Sequence, residues 1–234
     1  MNILISLLLP FLGTTLGAAC VYFLKKNIKR KYEIIILAFA AGVMMAASIW
    51  SLIIPSLELS NAFVASIGLL FGILLFYLLD CYLNKKNSKK DKMMLAINIH
   101  NIPEGMAVGV LLASYLQGNA NFTMVLALSL GIAIQNFPEG LIVSIPSYKK
   151  KKNKNKAFLE GVKSAAFELL GAVITLIFTN VITFFLPFLL NVAAGAMIYV
   201  IITELIPEST SKENTNTIWF TIGFIIMMLL DVLV

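Results

Sequence analysis

IHNIPEG at residues 99–105 and IQNFPEG at residues 134–140 are two copies of one pattern within a single chain. Each copy places an amide, a proline and a glutamate in the middle of an apolar stretch. A carboxylate at such a depth in a membrane costs at least ~2.5 kcal/mol when it has no partner. The two stretches therefore predict a pair of membrane helices whose buried carboxylates serve one function.

The composition indicates that the rest of the chain is also embedded in a membrane. Of the 234 residues, 59% are hydrophobic and 13% are charged, and the mean hydropathy is +0.91. Soluble domains carry about 25% charged residues. Most apolar segments reach the ~20 residues needed to cross ~30 Å of hydrocarbon, and the sixth and seventh are separated around Phe185, Leu186 and Pro187. The eight predicted segments, in one domain spanning residues 1–234, are 3–24, 33–55, 61–83, 93–115, 121–146, 158–182, 186–207 and 217–234.

The basic residues predict the orientation of these segments. All of the 18 Lys and Arg residues except Lys163 lie in alternate connections, those after the first, third, fifth and seventh segments. The positive-inside rule assigns these connections, including the basic loop 147–157, to the cytoplasm and both termini to the outside. Topology and contact with anionic membrane lipids explain the net charge of +6, so no nucleic-acid partner is expected.

The two motif copies also predict an internal repeat. A short loop joins their helices, which must run antiparallel, and similar motifs on antiparallel helices imply a pseudo-two-fold axis in the membrane plane. A weaker similarity links AGVM at 41–44 with AGAM at 194–197. We therefore predict an all-α polytopic membrane protein in which helices 1–3 mirror helices 6–8, with helices 4 and 5 as the central pair.

The residue types in the motifs suit a divalent cation. His100 and Glu104 lie four residues apart and share one helix face, and Gln135 and Glu139 repeat that spacing. Two facing carboxylates repel each other unless a cation or protons neutralise them. Imidazole and carboxylate groups bind zinc, and amide oxygens also suit Fe²⁺, Mn²⁺ or Cd²⁺.

Further polar residues extend the candidate site. Asn101 and Asn136 each lie one position after His100 and Gln135, within reach of the same cavity or a neighbouring one. Glu168 is a third buried carboxylate, which either completes a second metal position or is a protonated or hydrogen-bonded structural glutamate; the sequence leaves both interpretations open. Candidate residues along a pathway are Met44, Ser51, Glu204 and Glu208.

The sequence argues against several other classes of protein. It contains one histidine and no HExxH motif, which excludes a His-rich zinc cage and an HExxH hydrolase. We expect a protein that is not an enzyme and has no resident cofactor. The main alternative is a transporter or channel for another solute, in which the carboxylates relay protons.

These residues resemble the ZIP family of metal transporters, in particular its prokaryotic GufA-like or ZupT-like branch. HNIPEG at 100–105 matches the helix 4 signature of the family, and QNFPEG at 135–140 looks like its helix 5 signature. GVMMAAS at 42–48 and ELIPE at 204–208 are similar to its helix 2 and helix 7 patterns. The resemblance implies eight helices in a 3+2+3 inverted repeat, homodimers, and influx of zinc across the plasma or inner membrane.

The resemblance also implies a binuclear site. One ion would bind His100, Glu104, Gln135 and Glu139. The other would bind Asn101, Glu104, Asn136, Glu139 and Glu168. We further hypothesise alternating access, in which helices 4 and 5 move together with helices 2 and 7.

Overall fold

The computed structural model describes residues 2–24, 29–85, 92–210 and 215–233, and their backbone is helical with no strand. These residues form eight long helices joined by short connections. In chain order the helices are α1 (Asn2–Ala19), α2 (Arg30–Leu59), α3 (Ala62–Lys85), α4 (Lys92–Leu116), α5 (Phe122–Lys151), α6 (Lys154–Ile177), α7 (Thr179–Glu208) and α8 (Thr215–Leu233). The predicted all-α class is confirmed.

Six of the described helices are long and apolar enough to cross a membrane. They are α1, α2, α3, α5, α7 and α8. Large apolar side chains on their outer faces are open to the surroundings, such as Phe63 on α3 at 74% exposure and Phe184 on α7 at 78%. Such faces are stable against lipid and unstable against water. The chain is a multi-pass membrane protein.

The boundary between α6 and α7 lies earlier than the sequence predicts. The chain leaves helical geometry at Phe178, whose φ and ψ are −115° and 36°, whereas Pro187 lies inside the next helix. A proline removes one backbone hydrogen bond, and membrane helices tolerate this loss when neighbouring groups satisfy the backbone. The prediction of a break around Phe185, Leu186 and Pro187 was therefore wrong.

The predicted basic loop 147–157 is largely helical. Helix α5 continues to Lys151 and α6 begins at Lys154, so two residues connect them. Lys152 adopts a left-handed conformation with φ 52°, and the Asn153 side chain accepts a hydrogen bond from the backbone N–H of Lys156. Lysines favour the C-terminal end of a helix because its dipole is negative there, which explains why α5 runs on through them.

Two helices contain a segment of π-helix in their C-terminal half. Ser48–Ile53 lies within α2, and Ile201–Leu205 lies within α7. Each segment is followed by a proline near the start of the next helical turn, Pro55 in α2 and Pro207 in α7. Such bulges are frequent at functional sites because they re-aim side chains out of the regular helical register.

The helices pack as two groups of four. Bundle 1 comprises α1, α4, α5 and α6, and bundle 2 comprises α2, α3, α7 and α8. Within each bundle, helices touch backbone to backbone at glycines, where a Cβ would overlap an oxygen of the neighbouring helix. These glycines include Gly105 and Gly140 in bundle 1 and Gly42 and Gly195 in bundle 2.

The largest apolar cluster fills the seam between the bundles. Its buried members come from α2, α5 and α7, among them Met44, Ile142 and Met197, and Met106 of α4 packs against them. The candidate pathway residue Met44 therefore lies in the hydrophobic core at 1% exposure.

Polar contacts join helix ends on one side of the molecule, which we call the basic side. There α1, α5 and α7 end, and α2 and α6 begin. The contacts are Lys154 Nζ to the carbonyl of Tyr22, Lys149 Nζ to Glu33, and Arg30 Nη2 to the carbonyl of Glu208. The second and third of these contacts tie α5 and α7 to the start of α2.

Candidate metal site

Polar side chains of bundle 1 converge in its interior. Helix α4 supplies two of them, α5 supplies three and α6 supplies one, and each is at most 2% exposed. They are Asn101, Glu104, Gln135, Asn136, Glu139 and Glu168. The structure thus brings together six of the seven residues that the sequence proposes as metal ligands.

The seventh candidate, His100, is on α4, but its side chain lies outside the described residues. Among the side chains that are described, no three His, Cys, Asp or Glu residues form a ready-made metal cluster. The interior of bundle 1 instead mixes carboxylates with amides. Amide and carboxylate oxygens are hard donors of the kind that divalent cations accept.

Gln135 connects the two motif helices. Its Nε2 donates a hydrogen bond to Glu104 Oε1 at 2.6 Å. Its Oε1 accepts one from Ser51 Oγ of α2 at 3.2 Å. The π-helical segment of α2 therefore delivers a hydroxyl from bundle 2 to the motif residues of bundle 1.

Glu168 is held from two sides. Thr14 Oγ1 of α1 donates to Glu168 Oε1 at 2.8 Å, and Asn101 Nδ2 donates to the same oxygen at 3.3 Å. Asn101 Nδ2 also lies 3.2 Å from the carbonyl oxygen of Ser164. The bonds from Thr14 and Asn101 orient Glu168 Oε1 toward α1 and α4, and neither of them involves Glu168 Oε2.

Three buried oxygens around Glu168 have no hydrogen-bond donor among the described residues. They are Glu168 Oε2, Asn101 Oδ1 and Asn136 Oδ1. Buried acceptors in native proteins are nearly always satisfied by protein groups, water or ions. Glu139 is also near enough to Glu168 for their charges to repel. Ordered water among these oxygens would satisfy the acceptors, whereas a cation would satisfy them and also offset the repulsion between the two carboxylates.

Glycines allow the helices that carry these residues to meet directly. A Cβ at Gly105 would overlap the backbone oxygen of Glu168, and one at Gly140 would overlap that of Thr14. Both glycines directly follow a motif glutamate. The short distances between α4, α5, α6 and α1 around the polar interior therefore depend on the glycine of each PEG sequence.

The four candidate pathway residues fall in different places. Ser51 Oγ lies 3.2 Å from Gln135 Oε1 and 3.0 Å from Asp231 Oδ1 of α8, so its single proton is shared between a motif residue and α8. Met44 is in the core of the seam. Glu204 lies against α3 in a small cavity that Asp80 also lines, and Glu208 is exposed on the basic side. The structure therefore connects Ser51 alone of the four with the motif residues through a described hydrogen bond.

Three residues around the site were not predicted as members. Thr14 and Ser164 are small hydroxyl residues, which are common in membrane helices for packing reasons, so their types alone give no signal. Asp231 does give one, because it is the single charged residue of α8 and lies in an apolar stretch. Its partner Ser51 is distant in sequence and follows only from the packing of α2 on α8.

Comparison with known proteins identifies the family. A sequence profile described as "ZIP Zinc transporter" matches residues 92–231. The chain is 34% identical to zinc transporter ZIPB of Bordetella bronchiseptica over 94% of its own length and 77% of that protein. It is 31% identical to zinc transporter ZupT of Chlorobaculum parvum over 97% and 94% of the two chains. It is 28% identical to zinc transporter GufA of Myxococcus xanthus over 97% of both.

The matched region runs from the start of α4 almost to the end of α8 and includes both PEG motifs and Glu168. The relatives are similar along nearly the whole chain. The resemblance drawn from the motifs is confirmed, and this chain belongs to the ZIP zinc transporter family.

Proposed function

We propose that this protein carries zinc, and related divalent cations such as Fe²⁺, Mn²⁺ and Cd²⁺, across the membrane through the polar interior of bundle 1. The observation that carries the proposal is the group of three buried oxygens without donors, next to the carboxylates of Glu104 and Glu139. The relatives are named as zinc transporters, which makes zinc the first ion to test. The metal is the substrate, and neither an enzymatic activity nor a resident cofactor is proposed.

The site is proposed to be binuclear. The first position would use His100, Glu104, Gln135 and Glu139. The second would use Asn101, Glu104, Asn136, Glu139 and Glu168. The contact between Gln135 and Glu104 supports the first position. The donor-free oxygens on Asn101, Asn136 and Glu168 support the second, because two shared glutamates can bridge two cations and lose their mutual repulsion.

All eight helices are proposed to cross the membrane in a 3+2+3 inverted repeat. The pattern of backbone contacts supports this arrangement, because α4 meets α6 in the same way as α5 meets α1. Between α4 and α6, Gly105 faces the backbone oxygen of Glu168, and Gly171 faces that of Ile102. The corresponding contacts between α5 and α1 join Gly140 to the backbone oxygen of Thr14 and Gly17 to that of Phe137. The π-helical segments of α2 and α7 form a further matched pair.

Transport is proposed to occur by alternating access. The sequence suggested that α4 and α5 move together with α2 and α7, but the packing favours a different division. Helices α4 and α5 make their most extensive contacts with α6 and α1, and the seam to α2 and α7 is filled by apolar side chains. Bundle 1 would then move as a unit against bundle 2 and expose its polar interior to each side in turn.

The direction and location of transport are also proposals. With the basic side in the cytoplasm, Ser51 and Asp231 lie toward the outside, and ions would move from them past Gln135 and Glu104 into the cytosol. We propose a multi-pass protein of the plasma or inner membrane with both termini extracytoplasmic. A homodimer is also proposed, as the family resemblance implies.

Uptake of radioactive zinc into liposomes containing the purified full chain tests the proposal. We expect saturable uptake that Glu139→Ala abolishes and that Cd²⁺, Fe²⁺ and Mn²⁺ inhibit to different extents. Ser129→Ala is the matched control, because Ser129 is buried on the same helix and, among the described residues, its hydroxyl bonds to the carbonyl of Val125 alone. Equal uptake by Glu139→Ala and the parent would contradict transport through this site. Solute uptake that is independent of metal would instead support the proton-relay alternative.

A further inference from the structure

An apolar groove opens between the two bundles, separate from the polar interior. It has a volume of about 240 Å³, exposes no polar atom, and lies between α2, α5 and α8. Residues that line it include Ile36, Phe39, Ala40, Phe137, Leu141 and Trp219. Phe137 is 40% exposed, so the groove is open at the surface of the protein.

The lining excludes water as a stable occupant. A buried water needs two to four polar partners, and the groove offers none. The three surrounding helices are long and apolar enough to span a membrane, so the medium around the opening is lipid. The apolar ligand available at that position is the acyl chain of a phospholipid.

Charge at one end of the groove favours a particular headgroup. On α2, Ile36 lies one turn from Glu33, which is ion-paired with both Arg30 and Lys149. The one carboxylate balances one of these two positive charges, and the Arg30 side chain remains 56% exposed. Trp219 lies in the second turn of α8, at the same side of the membrane, where tryptophans commonly mark the level of the headgroups.

We propose that this groove binds one acyl chain of a phospholipid whose anionic headgroup contacts Arg30 and Lys149. The α5 wall of the groove is formed partly by Phe137 and Pro138, which directly precede Glu139. The acyl chain therefore packs on the reverse side of the turn that carries the motif residues. Binding of this lipid does not depend on the transport proposed above, and it is measured without metal.

Tryptophan fluorescence reports on this groove directly. The chain has two tryptophans, so Trp50→Phe leaves Trp219 as the only reporter. The full chain is reconstituted in phosphatidylcholine vesicles that contain a fixed fraction of either brominated phosphatidylglycerol or brominated phosphatidylcholine. We expect the anionic lipid to quench Trp219 at a lower fraction, by a factor on the order of five for one net positive charge.

Variants that fill the groove provide the decisive comparison. In Ala40→Phe and in Ile36→Phe, made in the Trp50→Phe background, we expect weaker quenching that no longer depends on the headgroup. Ile218→Phe is the control, because Ile218 adjoins Trp219 but is 61% exposed and lies outside the groove. In this control the brominated lipids should quench Trp219 to the same extent as in the parent. Lys149→Gln should reduce the preference for the anionic headgroup and retain quenching by the acyl chain.

Two results would overturn the proposal. The first is equal quenching of the parent by the two brominated lipids, which would exclude the anionic headgroup. The second is undiminished quenching in both filled variants, each shown to be folded by its thermal unfolding transition, which would exclude an acyl chain in the groove.

Discussion

Gln135 donates a hydrogen bond from Nε2 to Glu104 Oε1 across 2.6 Å, and it thereby ties α5 to α4 inside bundle 1. The same amide accepts a hydrogen bond from Ser51 of bundle 2. A cation bound to Glu104 at that oxygen would compete with the amide N–H. Ligation by both residues therefore requires the Gln135 amide to turn its oxygen toward the ion and to release Ser51.

Replacement of Gln135 tests whether this amide is a ligand. Gln135→Leu retains similar bulk but removes both the donor and the oxygen, so we expect zinc affinity to fall about tenfold or more, as for loss of a hydrogen bond to a charged group. Gln135→Glu keeps an oxygen and should retain binding. Isothermal titration of the purified protein with zinc measures both. Unchanged affinity in Gln135→Leu would remove Gln135 from the ligand set.

Thr14 is expected to stabilise the fold through Glu168. Thr14→Val preserves the shape of the side chain but removes the donor to Glu168 Oε1. Interhelical hydrogen bonds in membranes contribute about 0.6–1.7 kcal/mol. We therefore expect Thr14→Val to lower the free energy of unfolding by an amount in this range. Thr14→Ser keeps the hydroxyl and is the control. Unfolding in mild detergent measures the difference, and equal losses in the two variants would show that packing matters rather than the hydrogen bond.

Two glycines of α5 should respond in opposite ways to the same substitution. In Gly140→Ala the new Cβ would overlap the backbone oxygen of Thr14, so α1 and α5 must separate, and overpacking of this kind costs about 1–3 kcal/mol. Among the described residues, no atom outside the local helix backbone lies within 4 Å of the position of a Cβ at Gly131. Gly131→Ala should be neutral or stabilising by up to about 1 kcal/mol. Thermal unfolding of both variants checks the contrast, and similar behaviour would contradict the close contact at Gly140.

Much of the site could be predicted from local sequence. Glu104 and Glu139 were identifiable because a carboxylate in an apolar span is costly without a function, and the repeated PEG pattern showed that they belong together. Thr14 could not be identified in this way. Its role depends on α1 lying against α6, which is a contact between residues 154 positions apart in the chain.

The errors at helix boundaries have a related cause. Pro187 was taken as part of the break between the sixth and seventh segments. It lies inside α7, where Ser56 and Asn191 both donate a hydrogen bond to its carbonyl oxygen. The chain leaves the helix at Phe178, and phenylalanine is not a residue type that marks the end of a helix. The lysines of residues 147–157 were assigned to a loop by their charge, and charge does not prevent them from ending one helix and beginning the next.

Asp231 is expected to affect the capture of ions more than their passage. It is linked to Glu104 through Ser51 and Gln135, and it lies near the end of α8 away from the basic side. Asp231→Asn keeps the hydrogen bond to Ser51 possible but removes a negative charge, so we expect a higher KM for zinc and a similar maximal rate. Glu58→Gln is the control, because it removes an exposed carboxylate near the end of α2, on the same side of the membrane as Asp231. An equal rise of KM in both variants would show a general surface-charge effect.

The number of zinc ions bound per chain tests the central claim most directly. Equilibrium dialysis of the purified full chain against radioactive zinc gives this number without any assumption about transport. We expect two ions for the parent and for Ser129→Ala, and none retained at the same free zinc concentration by the double variant Glu104→Gln, Glu139→Gln. Retention of both ions by a folded double variant would show that zinc binds elsewhere and would contradict a metal site in the interior of bundle 1.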